Sequence, residues 1–137
     1  MPVFLTLLIL ALAGRIGMPA APPAAERTTA DGVYTSAQAE TGATVFEEVC
    51  QTCHLPGWER VVGFYGKWHG KPLAELVTYV RREMPQTDPG SLTPEEYGQV
   101  TAYLLRLTRM PAGAEMLNPD PAALREIRID SIPSRPR

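Results

Sequence analysis

The chain has 137 residues, a length that accommodates one small domain together with flanking segments. Its formal net charge of −2 argues against a nucleic-acid-binding surface. It contains two cysteines, which excludes a disulfide-rich scaffold. Fourteen prolines and eleven glycines, many near the ends, indicate a modest core with extended flanks.

The first 25 residues predict an export segment. An apolar run over residues 3–13 is short for a bilayer span but has the length of a signal-peptide hydrophobic region. The proline-rich stretch MPAAPPAA that follows argues against packing of this run into a core. We therefore expect residues 1–25 to be a signal peptide, or an N-terminal membrane anchor where cleavage does not occur. Residues 26–34 then predict an extended linker.

A single small domain is predicted over residues 35–110, and it opens with a helix. Thr35 and Gln38 have the spacing of a capping box at the start of that helix. Glycine inside a helix costs stability, so we expect Gly42 to lie in close contact with another helix. One helical face is predicted to carry Ala39, Gly42, Phe46 and Val49.

This helix runs directly into the motif CQTCH, formed by Cys50, Cys53 and His54. Two cysteines at this spacing followed by histidine are typical of c-type haem attachment. Positions three apart on a helical turn face the same way, so both thiols can form thioethers with the vinyl groups on one porphyrin edge. His54 is then held beneath the iron as the proximal ligand.

A Cys-x-x-Cys pair can also have three other roles. A thioredoxin-like redox dithiol requires alternating strands and helices, which this sequence does not predict. A structural zinc requires four ligands, and His69 is the single histidine outside the motif. A disulfide across so short a loop constrains little chain. Haem attachment is the preferred interpretation, and a haem-free dithiol oxidoreductase remains an alternative.

Residues 55–70 are glycine-rich, lack a clear period and predict a loop that wraps the cofactor. His69 could supply a sixth iron ligand, although a single loop histidine beside lysines is typical of a solvent-facing position. Large aromatic residues in this loop could either cover a porphyrin edge or pack in the core without haem contact: Trp58, Phe64, Tyr65 and Trp68.

A second helix is predicted from Pro72, with an apolar face that includes Val80, and the Met84–Pro85 pair ends it. Because Met84 then lies on an irregular segment, its thioether is free to face a metal. A methionine opposite a histidine raises the haem potential and suits electron transfer.

The last long helix is predicted to begin at a second capping box, Thr93 to Glu96, and to end near Thr108. Tyr103 lies close to its apolar face and could meet the first helix near Gly42. Residues 111–130 predict a C-terminal extension that packs on the domain.

Within that extension, Asp120 and Pro121 predict a brief helical turn whose Leu124 and Ile127 could contact the body. Residues 131–137 predict a flexible tail.

From Asp31 to Ile129 the chain resembles a monohaem class I cytochrome c, of the soluble type associated with quinoprotein dehydrogenases. The resemblance is carried by four stretches: DGVYTSAQAETGATVF, CQTCH, GKWHGKPLAELVTYVRREMPQTDPGSLTPEEYGQVTAYLL and the tail MPAG…NPDPAALREIRI. It implies an all-α fold, a small helical domain wrapped around one covalently bound haem c. The loop after the motif is shorter than in the family, and its one proline is Pro56.

The resemblance also implies specific roles for residues of this chain. Cys50 and Cys53 would bind the haem covalently, with His54 as the proximal and Met84 as the distal iron ligand. Met110 and Met116 match the family's tail and not its ligand loop. The Gly42 face of the first helix would cross the last helix near Tyr103.

These features predict a periplasmic one-electron carrier and not an enzyme, with a dehydrogenase, another cytochrome or a terminal oxidase as redox partner. A five-coordinate haem enzyme or gas sensor is the alternative if Met84 does not bind. Membrane association is expected where the leader is retained. Four basic residues could steer an acidic partner, or could be ordinary solvated charges: Lys67, Lys71, Arg81 and Arg82.

Overall fold

The computed structural model describes residues 26–55 and 63–131. Its described helices are α1 (Ser36–Val49), α2 (Phe64–Trp68), α3 (Leu73–Glu83), α4 (Pro94–Leu107) and α5 (Pro121–Arg125). A 3-10 helix over Thr29–Asp31 and two short strands, β1 (Arg27–Thr28) and β2 (Ile127–Arg128), complete the described elements. The fold is mainly helical, as the sequence predicts, with a small parallel sheet that an all-α class does not include.

The predicted export segment, residues 1–25, lies outside the described residues, and so does all but the first residue of the predicted tail. Pro56 and Trp58 lie outside them as well. Among the residues that are described, none of the helices combines the length and apolar character needed to cross a bilayer.

The two long helices, α1 and α4, cross at a glycine. A methyl group added to Gly42 would lie 1.9 Å from the carbonyl oxygen of Gln99 and 3.0 Å from the Val100 nitrogen. The backbones therefore approach more closely than any side chain at position 42 would allow, which confirms the contact expected there. One turn further on, the rings of Phe46 and Tyr103 pack with their centroids 5.2 Å apart.

Local sequence signals set the helix ends. The Thr35 hydroxyl accepts from the Gln38 amide and caps α1, and the Thr93 capping box forms in full at the start of α4. At α1 the reciprocal half of the box is not made. Instead, the Gln38 side chain donates to the Leu117 carbonyl at 3.0 Å and accepts from the Leu117 amide at 2.7 Å. Both hydrogen bonds are buried and join α1 to the C-terminal extension.

Residues 26–34 are not the extended linker that the sequence predicts. β1 pairs in parallel with β2, and Val33 and Tyr34 are buried in the core. Gly32 has a left-handed backbone, and a methyl group on Gly113 would lie 1.9 Å from the Gly32 carbonyl oxygen. This segment is part of the domain because its partners come from the far end of the chain.

Part of the predicted loop over residues 55–70 is helical. α2 begins after Gly63, whose positive φ of 63° suits a residue without a side chain, and ends at Trp68. Phe64 and Trp68 are buried in the main core. With five residues, this helix is too short to show the periodicity from which helices are predicted.

Two apolar clusters make up the core. The main cluster joins residues 33–34 and 124–129 to α2 and α3. Its largest buried members include Tyr34, Leu73, Leu105, Leu124 and Ile129. The second cluster lies between the ends of α1 and α4 and has three buried members, Phe46, Val100 and Leu104. Val80 of α3 packs against both clusters.

Candidate haem site

The CQTCH motif forms a turn at the end of α1. The Cys50 amide donates to the Phe46 carbonyl at 2.8 Å, which is the last bond of the helix. The Cys50 carbonyl then accepts from the Cys53 amide at 3.1 Å and from the His54 amide at 2.9 Å. The three chemically important residues of the motif are therefore held on one compact helical turn, as the spacing predicts.

The two cysteines differ in their surroundings. Both are free thiols, but Cys50 is half-buried and Cys53 is exposed. Burial raises the pKa of the Cys50 thiol. Neither thiol is engaged in a disulfide, so both are available to form thioether bonds.

Apolar side chains surround Cys50 and are incompletely covered. Cys50 packs against the second cluster together with five other half-buried residues: Val45, Val80, Leu92, Tyr103 and Leu107. Partly exposed apolar surface gains stability when another group covers it. The donor set of the motif and these partly buried apolar side chains fit a porphyrin fastened through Cys50 and Cys53.

His54 lies beside the same cluster. Its imidazole is partly buried, and its ring centroid is 6.3 Å from that of Phe46, with the planes tilted by 37°. Phe46 is thus positioned between the histidine and Tyr103. The crossing of α1 and α4 therefore sets the position of the proposed proximal ligand.

Met84 ends α3 in an extended conformation, with φ −130° and ψ 146°. Its amide donates to the Val80 carbonyl at 2.8 Å, and its carbonyl accepts from the Tyr97 hydroxyl at 3.0 Å. The segment is thereby tied to α4, while Val80, one turn earlier, belongs to the cluster around Cys50. Sequence patterns do not predict this role for the Tyr97 hydroxyl, because the bond joins α4 to the end of α3.

The competing methionines are placed differently. Met110 is buried, and its sulfur accepts a hydrogen bond from the Thr29 hydroxyl at 3.2 Å, while its carbonyl accepts from Tyr34. Met116 is exposed. Met110 is thus held in the main core beside the N-terminal segment, so its thioether is already engaged there.

The other residues considered for haem contact lie elsewhere. His69 is exposed and lines a polar cleft of about 480 Å³ beside Glu26 and Asp130, at the sheet end of the molecule. Phe64 and Trp68 belong to the main cluster, and the Tyr65 hydroxyl donates to the Thr108 carbonyl. For these aromatic residues the structure therefore shows core packing.

Leu92 is a member of the second cluster that sequence reasoning missed. It directly precedes the Thr93 cap of α4. An apolar residue at this position often packs against the first turn of the following helix, and this pattern could have identified it.

Residues 37–104 match the family model described as cytochrome C oxidase, cbb3-type, subunit III. The matched range contains the CQTCH motif, Met84 and the crossing of α1 and α4. Searches among curated proteins and among solved structures gave no match. The family match supports a c-type cytochrome domain in this chain, with covalently bound haem c and a general role in electron transfer.

Proposed function

We propose that this chain is an exported one-electron carrier with one haem c, attached through Cys50 and Cys53. The observation that carries the proposal is the turn of the motif, whose Cys50 packs with partly buried apolar side chains against the second cluster. The turn presents both thiols and the imidazole from five consecutive residues. When bound, the haem supplies a redox centre that accepts and releases single electrons.

His54 and Met84 are the proposed iron ligands. Histidine would serve as the proximal ligand because the turn fixes it next to the thiols. Met84 is favoured as the distal ligand for two reasons. Its backbone carbonyl is hydrogen-bonded to Tyr97 of α4, and it lies one helical turn after Val80, which packs against the same cluster as Cys50. An iron bound by both would have no open position for a substrate, which favours electron transfer over catalysis.

The protein groups around the site would tune the redox centre. Together with a bound haem, the apolar side chains from α1, α3 and α4 would lower the solvent exposure of the site, which is one means by which proteins raise haem potentials. The match to an oxidase subunit family favours an oxidase complex as the redox partner. It offers no support for a quinoprotein dehydrogenase. A periplasmic location is proposed from the export segment.

The thioredoxin-like alternative is disfavoured by the surroundings of the cysteines. The described sheet consists of two two-residue strands, and neither adjoins the motif. A zinc site is also disfavoured, since across residues 26–55 and 63–131 there is no cluster of three or more His, Cys, Asp or Glu side chains suited to holding a metal ion.

The first experiment is a haem stain on a denaturing gel, with the chain expressed together with haem-attachment machinery. Covalent haem survives denaturation, so a stained band is expected for the wild type and no band for a variant with both cysteines replaced by alanine. An unstained wild-type band would refute the proposal.

The second experiment tests the distal ligand. Replacing Met84 by leucine should abolish the methionine–iron charge-transfer band and allow carbon monoxide to bind the reduced protein, whereas Met110→Leu should leave both properties unchanged. If wild-type protein binds carbon monoxide readily, the five-coordinate alternative is correct instead.

A third measurement uses two matched tyrosines. Tyr97 and Tyr34 each donate one hydroxyl hydrogen bond to the backbone carbonyl of a methionine, at 3.0 and 2.7 Å. Replacing either by phenylalanine should cost about 1 kcal/mol of stability. The Tyr97→Phe change alone should weaken the charge-transfer band, and equal effects of both changes on that band would argue against Met84.

A further inference from the structure

The C-terminal extension, residues 111–130, is attached to the rest of the domain at two places. Near its start, the backbone of Leu117 makes two buried hydrogen bonds with the Gln38 side chain of α1, at 2.7 and 3.0 Å. Near its end, the Asp130 amide donates to the hydroxyl of the buried Thr29 at 3.0 Å, and β2 pairs with β1. The extension is therefore fixed to α1 and to the N-terminal segment.

Between these attachments, the extension binds the residues that lead into α3. The Ile129 amide donates to the Lys71 carbonyl at 2.9 Å, and the Ile129 carbonyl accepts from the Gly70 amide at 2.8 Å. Arg128 forms an antiparallel bridge with Pro72, which directly precedes the first residue of α3. The backbone of the extension thus holds the beginning of α3 in place.

Side-chain packing joins the same two elements. α3 makes more extensive contact with α5, within the extension, than with α4. Leu124 and Ile129 are each 1 % exposed, and they belong to the same apolar cluster as Leu73, Leu76 and Val77 of α3. Separating the extension from α3 would expose these apolar side chains to water, which is unfavourable. The extension and α3 therefore form one packed unit.

The far end of α3 carries the proposed distal ligand. The Met84 amide donates to the Val80 carbonyl at 2.8 Å, so Met84 continues directly from the last turn of the helix. Its carbonyl accepts a hydrogen bond from Tyr97 of α4 at 3.0 Å. One such bond contributes little stability in comparison with an apolar interface. The position of Met84 therefore depends mainly on the position of α3.

The two proposed iron ligands belong to different packed units. His54 lies in the turn that follows α1, and α1 has most of its contact with α4. Met84 follows α3, which is hydrogen-bonded to the extension and packed on it. Proteins open locally in cooperative units of this kind. An opening that detaches the extension would release α3 and leave the crossing of α1 and α4 intact.

We propose that the C-terminal extension is a positioning strap for the distal iron ligand. It holds α3 in the place from which Met84 binds the iron, and its release withdraws Met84 while the haem stays attached through the CQTCH motif. Leu124 and Ile129 act as positioning residues. The inference rests on the proposed function, because it concerns the ligand proposed there.

The first test is native-state hydrogen exchange of the haem-loaded wild type, followed by NMR at low guanidinium concentrations. Gly70 and Ile129 report on the contact between the extension and α3, and Met84 reports on the ligand segment. A single opening should release all three amides with the same denaturant dependence, at concentrations where amides in the middle of α1 stay protected. Exchange of Met84 that is independent of the other two would overturn the proposal.

The second test is Leu124→Ala, with Leu105→Ala as the matched control. Leu105 is also a fully buried leucine of the main cluster, but it lies on α4. Leu124→Ala should speed exchange of the Met84 amide at least about thirtyfold, whereas Leu105→Ala should speed it less than about threefold. Both variants should lower the melting temperature.

The haem spectrum gives an independent readout of the same variants. In Leu124→Ala, the methionine–iron charge-transfer band should disappear at a lower guanidinium concentration than the helical circular dichroism signal, with a wider gap than in the wild type. Equal effects of both leucine variants would show that only overall stability matters, and would overturn the proposal. An unchanged band and unchanged exchange in Leu124→Ala would also overturn it. If that variant does not fold, the wild-type exchange measurement decides alone.

The two readouts also separate the strap from the ligand assignment. If the wild type shows the band but the three amides open independently, Met84 remains the ligand and the strap is refuted. If the amides open together but the band is absent from the wild type, the assignment of Met84 is wrong, and the positioning role falls with it.

Discussion

Replacing Gly42 by alanine tests the close crossing of α1 and α4. The added carbon would lie 1.9 Å from the Gln99 oxygen and 2.4 Å from the Gln99 carbonyl carbon, whereas such contacts essentially never fall below 3.0 Å. Because the clashing atoms are backbone, no side-chain rotation relieves the overlap. The two helices must therefore separate by roughly 1 Å, which loosens the contact that positions Phe46.

Two opposing effects determine the size of this change. Alanine is favoured over glycine in a helix interior by about 1 kcal/mol, while overpacking of a tight contact costs about 1–3 kcal/mol and occasionally more. Since the clashing atoms belong to one rigid peptide unit, Gln99–Val100, we expect the upper part of that range and a net loss of ~2 kcal/mol. For a domain of this size that loss lowers the melting temperature by about 10 °C.

Gly66→Ala provides the matched control. Gly66 also lies in a helix, but a methyl group there would meet no atom within 4 Å. This variant should melt at or slightly above the wild-type temperature. Circular dichroism melts of the haem-loaded proteins are suitable because thioether-bound haem cannot dissociate on unfolding. A Gly42→Ala protein that melts no lower than the wild type would refute the steric argument.

Two further variants test individual hydrogen bonds. Gln38→Ala removes both buried hydrogen bonds to Leu117 and should lower the free energy of unfolding, measured by chemical denaturation, by ~2–4 kcal/mol. Thr41→Ala is the control: it removes one exposed hydrogen bond and should lower the same free energy by well under ~1 kcal/mol. Hydrogen bonds from Thr93 lower the pKa of Glu96 below its ordinary value of 4.5. The stabilisation that these hydrogen bonds provide is therefore complete above pH 4.5, and it is lost as the pH falls through the lower pKa that Glu96 has in the folded protein. Thr93→Ala should flatten the acid limb of a plot of stability against pH, and an unchanged slope would contradict this.

Several features of the fold could be predicted because their causes are local. Thr35 and Thr93 cap helices through side-chain bonds to residues three positions away, and Met84–Pro85 stops α3 through the restricted backbone before proline. The expected contact at Gly42 also follows from a local observation, since glycine inside a long helix is about 1 kcal/mol less favourable than alanine and so indicates a compensating close contact.

The remaining features depend on contacts between distant parts of the chain. Residues 27 and 28 form a strand only because residues 127 and 128 lie beside them, one hundred positions later. The buried Thr29 hydroxyl likewise accepts from the Asp130 amide and donates to the sulfur of Met110. Residues 26–34 are polar and follow a proline-rich stretch, so their composition is that of a linker. Their partners lie too far along the chain to be recognised from this composition.

The candidate site shows the same division. The turn from Cys50 to His54 follows from five consecutive residues, so the motif alone predicts it. The cluster against which Cys50 packs draws on α1, α3 and α4, and the sequence does not show that Val80 of α3 meets Phe46 of α1 and Leu104 of α4 there.

The distribution of burial differs between the two sides of this domain. On the main-core side, the terminal segments provide the cover themselves, because Val33, Leu124 and Ile129 are buried without any added group. On the side of the CQTCH motif, three buried residues support a larger number of half-exposed apolar ones. Covering that surface stabilises the folded state by about 25 cal/mol per Å². A porphyrin fastened at Cys50 and Cys53 would therefore complete the second cluster, and its potential would depend on how tightly α1 and α4 cross beneath it.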